Sequence, residues 1–255
     1  MTVRCGRDPL GRVVSMRSAL VLAGALVVAA ASLSPARGEG APVVVLDPGH
    51  DLRANLATEP IGPGSARRKI KDGGGTRGVV SGLTEAELNL AVAQRLRPLL
   101  ERAGIRVLMT RTRTAGTSMG NIARARIANR SGAALFLRIH ADGSADRGVR
   151  GTHTLYPALR RGWTDDVYAE SRRAAAVVQR ELVRALGFPD RGLQERSDFT
   201  GFNWADVPVI LVELGFMTNA TEDRLLATAA YQRRAALGLC RGTLRFLRRP
   251  LAACR

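Results

Sequence analysis

Two of the three histidines in this chain stand at the ends of apolar runs. His50 follows residues 43–46 (VVVL) through Asp47-Pro48-Gly49, and His140 directly follows residues 134–139 (ALFLRI). A third run, 207–212 (VPVILV), ends on Glu213, with Gly215 two residues on. Short runs of this kind read as buried strands of a mainly parallel sheet. A carboxylate at the end of such a strand is costly unless it is paired, hydrated or bound to a metal. In open α/β sheets the carboxyl ends of the strands share one edge, and sites form there. Two imidazoles and a carboxylate brought to one edge make a metal-type or acid–base set. The competing reading is three unrelated polar residues, each closing its own turn.

A catalytic zinc takes three protein ligands and keeps one position open. His50 and His140 supply two, so a third must come from a neighbouring element. Glu85 and Glu87 both lie in the first turn of the helix that residues 84–103 predict. Thr84 is a good N-cap, and Glu87, three residues on, completes a capping box. That division of labour leaves Glu85 free to reach the site. The bland reading of either glutamate is stabilisation of the positive end of the helix. HExxH and CxxC are both absent, so spacing alone does not specify zinc.

The positioning elements follow from pattern. Leu88, Ala91, Val92, Leu96 and Leu99 form the buried stripe of the 84–103 helix, Gly104 stops it, and Pro98 is a candidate kink. Strands are expected at 105–110 and 151–156, and helices at 119–129, 165–186 and 221–247, the last with arginine on its outer face. Residues 51–82, with IGPGSARR and KDGGG, read as a long surface loop with room for a short hairpin; residues 188–205 read as a second loop. The sum is an α/β fold: a twisted, mainly parallel central sheet of about six strands flanked by helices in a single domain.

At 255 residues and 45% apolar content, the chain suits one such domain plus an N-terminal extension. The formal charge is +17, almost all of it arginine, with Lys69 and Lys71 the only lysines. A basic surface favours polyanions. No nucleic-acid motif or basic stripe interleaved with aromatics is present, so nucleic acid is not an expected partner. An anionic cell-envelope polymer fits as well, and the N-terminus favours it. Residues 1–17 are basic, residues 18–33 are apolar or small, and Ser34-Pro35 breaks the run: the pattern of a secretory signal peptide. The rival reading is a retained membrane anchor, for which the apolar run is short. Residues 1–38 are therefore expected to be the signal and 39–255 the working domain. Removing five Arg and one Asp with the signal leaves +13. In an oxidising compartment Cys240 and Cys254 would be free to pair.

Six motifs occur in order: LDPGH at 46–50, TEAELNL at 84–90, Thr110-Arg111, ARARIAN at 123–129, LFLRIHADG at 135–143 and LVELGFMTN at 211–219. Together they resemble the zinc-dependent N-acetylmuramoyl-L-alanine amidases of the amidase type 3 family, over about residues 42–248. The resemblance implies one zinc ion held by His50, Glu85 (four residues before Asn89) and His140, with Glu213 catalytic. It also implies a peptidoglycan substrate, cut between N-acetylmuramic acid and the L-alanine of the stem peptide. The expected enzyme is a monomer acting in the periplasm or cell wall, and it meets the membrane only through its export signal. The sequence departs from the common pattern in three places. Asp51-Leu52 replaces the usual Gly-Gly after the first histidine, 34 residues separate His50 from Glu85, and Asp142 replaces an asparagine. His153 matches no ligand position and reads as a structural strand residue near the site. Two other readings stay open: a zinc peptidase acting within the stem peptide, and a catalytically silent wall-binding protein.

Overall fold

Alternation along the buried strands divides the core into two halves. In the computed structural model, which describes residues 40–116 and 119–255, β1 (Val43–Pro48) is buried along its whole length. Val44 and Leu46 join one apolar cluster, while Val43 and Val45 join the other. Strand β5 (Leu135–Asp142) repeats the pattern: Leu135, Leu137 and Ile139 go to the first cluster and Phe136 to the second. So does β8 (Val209–Phe216), with Ile210 and Val212 opposed to Val209 and Leu211. Side chains at i and i+2 share a face of a strand, so Asp47, Arg138, His140 and Glu213 all continue the second face. Two-sided burial is what a parallel sheet covered by helices requires.

The remaining strands of this sheet are β4 (Arg106–Met109), β6 (Thr152–Pro157) and β7 (Asp190–Arg196). The order is β4-β1-β5-β8-β6-β7. All neighbours are parallel except β6 and β8. Six mostly parallel strands match the expected architecture. Helices α1 (Glu85–Arg102), α3 (Tyr168–Leu186) and α6 (Ala229–Phe246) supply residues to the first cluster. The shorter α2 (Asn121–Arg130) and α4 (Thr200–Asn203) supply the second. Residues Glu39–Arg255 cluster as one compact unit. None of the described helices is long and apolar enough to cross a membrane. The expected signal peptide lies outside the described residues.

Two expectations need correction. Residues 188–205 are not simply a loop, because β7 pairs with β6 there; its charged, Gly192-containing sequence suits a sheet edge and hides it from a search for apolar runs. The single helix expected at 221–247 is two, α5 (Ala220–Leu226) and α6. Thr228 accepts a hydrogen bond from the Tyr231 amide and opens α6 as its N-cap, so the break is chemical. Within 51–82, β2 (Asn55–Pro60) and β3 (Arg68–Asp72) pair as an antiparallel hairpin. The hairpin is fastened down: Glu59 accepts hydrogen bonds from the Asn121 and Ile122 amides at the start of α2. Asn203 Nδ2 donates to the Ile61 carbonyl and Trp204 Nε1 to the Pro60 carbonyl. Helix α1 continues across Pro98. Cys240 and Cys254 are joined as a disulfide, with Cα atoms 5.8 Å apart.

Candidate metal centre

His50 leaves β1 in the left-handed backbone region, φ 62°. That conformation is uncommon for a residue other than glycine and clusters at functional sites. Its Nδ1 donates to Asp72 Oδ1 at 2.6 Å, which turns Nε2 toward Glu85 Oε1, 3.3 Å away. Asp72 comes from the end of β3 and also accepts from the amides of Asp51 and Gly74. His140 projects from β5, with its Nδ1 3.0 Å from Glu85 Oε1. The two imidazole rings meet edge to face, 4.8 Å between centroids. Gly49 permits this approach, since a Cβ there would lie 2.1 Å from the His140 ring.

Glu85 reaches the site because the capping box holds the first turn of α1. The Thr84 amide donates to Glu87 Oε2 at 2.9 Å, and Thr84 Oγ1 accepts from the Glu87 amide at 3.2 Å. Glu87 is thus committed to the helix end, while Glu85 is buried and faces the histidines. Thr76 N donates to its Oε2, and Ala141 N and Asn89 Nδ2 donate to its Oε1. One ligand-type atom from each of His50, Glu85 and His140 lies within 4.8 Å of the others.

The charges follow from these contacts. Burial opposes a charge on His50, but the Glu85 carboxylate and the hydrogen bond to Asp72 outweigh it and lift its pKa to about 9. Burial dominates at His140 and lowers its pKa to about 4, against the pull of Glu85. Burial alone would raise Glu85, but the two histidines hold it well below the usual carboxylate range. Glu85 is therefore held as a carboxylate between the two rings, with His140 kept neutral. His140 Nε2 is buried without a hydrogen-bond partner. Two imidazoles and one carboxylate are a zinc-type donor set, so the residues present fit the ion.

Glu213 lies beside His140 in the β5–β8 register. Its Oε2 is buried and makes no hydrogen bond. Burial, reinforced by the charges of Glu85 and Asp142, pushes its pKa well above the ordinary value. His153 stands opposite Glu213 on β6, its Nε2 3.5 Å from Asp142 Oδ2. It packs by Phe216 and takes no part in the His–Glu–His cluster, as expected of a strand residue. His50, Glu85, His140 and Glu213 all line one cleft of about 560 Å³.

Behind the cluster lies a second polar group that residue types alone did not reveal. Asp47 accepts from Arg124 Nη1 at 2.6 Å, Thr110 Oγ1 at 2.6 Å and Arg138 Nε at 2.8 Å. Arg111 donates to the carbonyls of Pro48, Gly49 and Ala86. The sequence signal for this network is an arginine, Arg138, inside an otherwise apolar strand. The signal for Asp72 is weaker: a carboxylate ahead of Gly73-Gly74-Gly75 in the segment between His50 and Glu85. Gly75 wraps the pair, for a Cβ there would meet Glu85 Oε2 at 2.7 Å and the His50 ring at 2.9 Å.

Comparison with known proteins agrees with this geometry. A family model described as N-acetylmuramoyl-L-alanine amidase matches residues 44–245. An N-acetylmuramoyl-L-alanine amidase of Mycobacterium tuberculosis is 32% identical over 238 residues, 89% of this chain and 95% of that protein. The amidase AmiA of Escherichia coli is 27% identical, over 81% of this chain and 76% of its own. The crystal structure of the amidase Ami1 from Mycobacterium smegmatis superposes with a TM-score of 0.73 at 29% identity, covering 81% of this chain and 96% of that one.

Proposed function

The chain belongs to the N-acetylmuramoyl-L-alanine amidase family, and from that premise we propose how its cleft works. It is a peptidoglycan hydrolase that cleaves the amide between the lactyl group of N-acetylmuramic acid and the L-alanine of the stem peptide. His50, Glu85 and His140 hold one zinc ion. Zinc bound there supplies Lewis acidity to the scissile carbonyl and the attacking water. Asp72 fixes the His50 ring so that Nε2 faces the cluster. Glu213 takes the proton from the attacking water and delivers it to the leaving amine of L-alanine. Burial, reinforced by the charges of Glu85 and Asp142, favours the protonated form of Glu213, which suits delivery. The observation that carries this reading is the convergence of the three ligand-type atoms within 4.8 Å, at a cleft that Glu213 shares.

The same reading takes residues 1–38 as an export signal and 39–255 as the catalytic domain. The enzyme then works as a monomer in the periplasm or cell wall. Mass analysis of digested muropeptides is the test. An amidase releases stem peptide with its L-alanine amine free and leaves an uncut glycan whose lactyl carboxylate is freed. A trimmed peptide would show a peptidase instead, and unchanged muropeptides a silent binding protein.

A further inference from the structure

The floor of the cleft is a strip of two strands. Arg138 pairs in register with Leu211, and His140 with Glu213, so an arginine row lies one repeat behind the catalytic row. Positions i and i+2 on one strand face are about 7 Å apart. Arg138 is only 3% exposed, yet it lines the cleft. Its Nε is taken by Asp47 Oδ2 at 2.8 Å and its Nη2 by Asn121 Oδ1 at 2.7 Å. Among the described residues Nη1 has no hydrogen-bond partner. Asp47 also serves Arg124, so one carboxylate faces two buried guanidinium groups. A purely structural role explains Nε and Nη2. It does not explain the spare nitrogen.

We propose that Arg138 Nη1 receives a substrate carboxylate: the α-carboxylate of the γ-linked D-glutamate at the second position of the stem peptide. This rests on the amidase reading above. That carboxylate lies two residues beyond the scissile amide, and two residues of extended chain span about 7 Å. The span equals the spacing between the catalytic row and the arginine row. Lys69, which lines the same cleft, is engaged by Asp198 at 3.2 Å. Arg138 is thus a specificity residue that tells D-glutamate from its α-amide, D-isoglutamine.

The experiment compares kcat/KM on two muramoyl peptides that differ only in whether this second residue carries a carboxylate or an amide. The zinc-loaded protein should prefer the carboxylate by about 10- to 100-fold, the scale of one charge-assisted hydrogen bond. Arg138→Gln should bring the ratio near one, and Arg138→Lys should retain part of it. The ratio is internal to each protein, so lost stability or zinc lowers both rates and leaves it unmoved. If Arg138→Gln does not fold, Gly201→Ala tests the same atom, because a methyl there would lie 2.3 Å from Nη1 and displace it. A wild-type ratio near one, or a preference unchanged in the variants, overturns the inference. Failure of the wild type to cut either peptide at the muramoyl–alanine bond overturns the amidase reading itself.

Discussion

Two polar clusters lie one strand repeat apart on the same face of the same sheet, and they are built to opposite rules. Around Asp47 every carboxylate oxygen has a donor: Arg124 and Thr110 on Oδ1, Arg138 on Oδ2. Around Glu85 the donors crowd one oxygen. His50, His140, Asn89 and the Ala141 amide all approach Oε1, while His140 Nε2 and Glu213 Oε2 are left with nothing. Buried polar atoms are nearly always satisfied, so each orphan needs a reason. A buried carboxylate with every oxygen satisfied fixes a scaffold; the buried atoms left unpaired beside it, and the spare nitrogen of Arg138 at its edge, are held ready for something that binds.

The sharpest challenge to that contrast is a pair of neighbouring glutamates. Glu85→Ala should abolish zinc binding and activity together, whereas Glu87→Ala should keep the zinc and lose only the helix cap, about 1 kcal/mol. Metal analysis of the two purified proteins decides it, and the reverse result would reassign the ligand. Next in size is Glu213→Gln, which keeps shape, fold and zinc but removes the proton carrier. Turnover should fall by about 10²–10⁴-fold, the usual contribution of general acid–base catalysis. A zinc-loaded, folded Glu213→Gln enzyme with near-normal turnover would remove this residue from the mechanism.

On the framework side, Asp47→Asn strands two buried guanidinium groups. Breaking a buried pair in this way costs about 3–5 kcal/mol, to be read from denaturant unfolding of the metal-free protein. Asp47 also has a pH signature. Burial would raise its pKa, but the charges of Arg124 and Arg138 and the Thr110 hydrogen bond win, and it falls far below the usual carboxylate range. A depressed carboxylate stabilises the fold fully above the unfolded value and loses that contribution as pH drops toward the folded one. Asp47→Asn should therefore flatten the loss of stability below about pH 4. An acid limb as steep as that of the wild type would show that other carboxylates govern it. The smallest effect is expected where the clusters' rules mix. Asp72→Asn leaves the ligands in place but weakens the hold on His50, and zinc affinity should drop about 10- to 100-fold. Unaltered affinity in a chelator competition would make Asp72 a loop residue only.

Much of this arrangement was legible in the chain. The apolar strands announce themselves by composition, and the polar residues at their ends mark the site. The capping box separates Glu87 from Glu85, and the structure keeps that division. What stayed hidden is what depends on distant partners. Strand β7 carries charge because it lies at an edge, so its pattern does not announce a strand. Asp72 is set against His50 by a hairpin whose strands, NLATEP and RKIKD, have no apolar run. Arg138 looks anomalous in its strand until Asp47, 91 residues earlier, supplies the reason. Pairings over such separations are fixed by topology, not by local pattern.

The fastening of the β2–β3 hairpin has a thermodynamic consequence. Glu59 at α2 and the carbonyls of Pro60 and Ile61 at α4 hold the segment that delivers Asp72 to His50. Local opening of such a segment takes less free energy than unfolding the sheet. Each opening releases His50 from its orienting partner. The apparent zinc affinity is then the intrinsic affinity scaled by the docked fraction. Hydrogen exchange in the hairpin and metal affinity thus report on one equilibrium, and substitutions at Glu59, on the far strand from the metal, should move both in step.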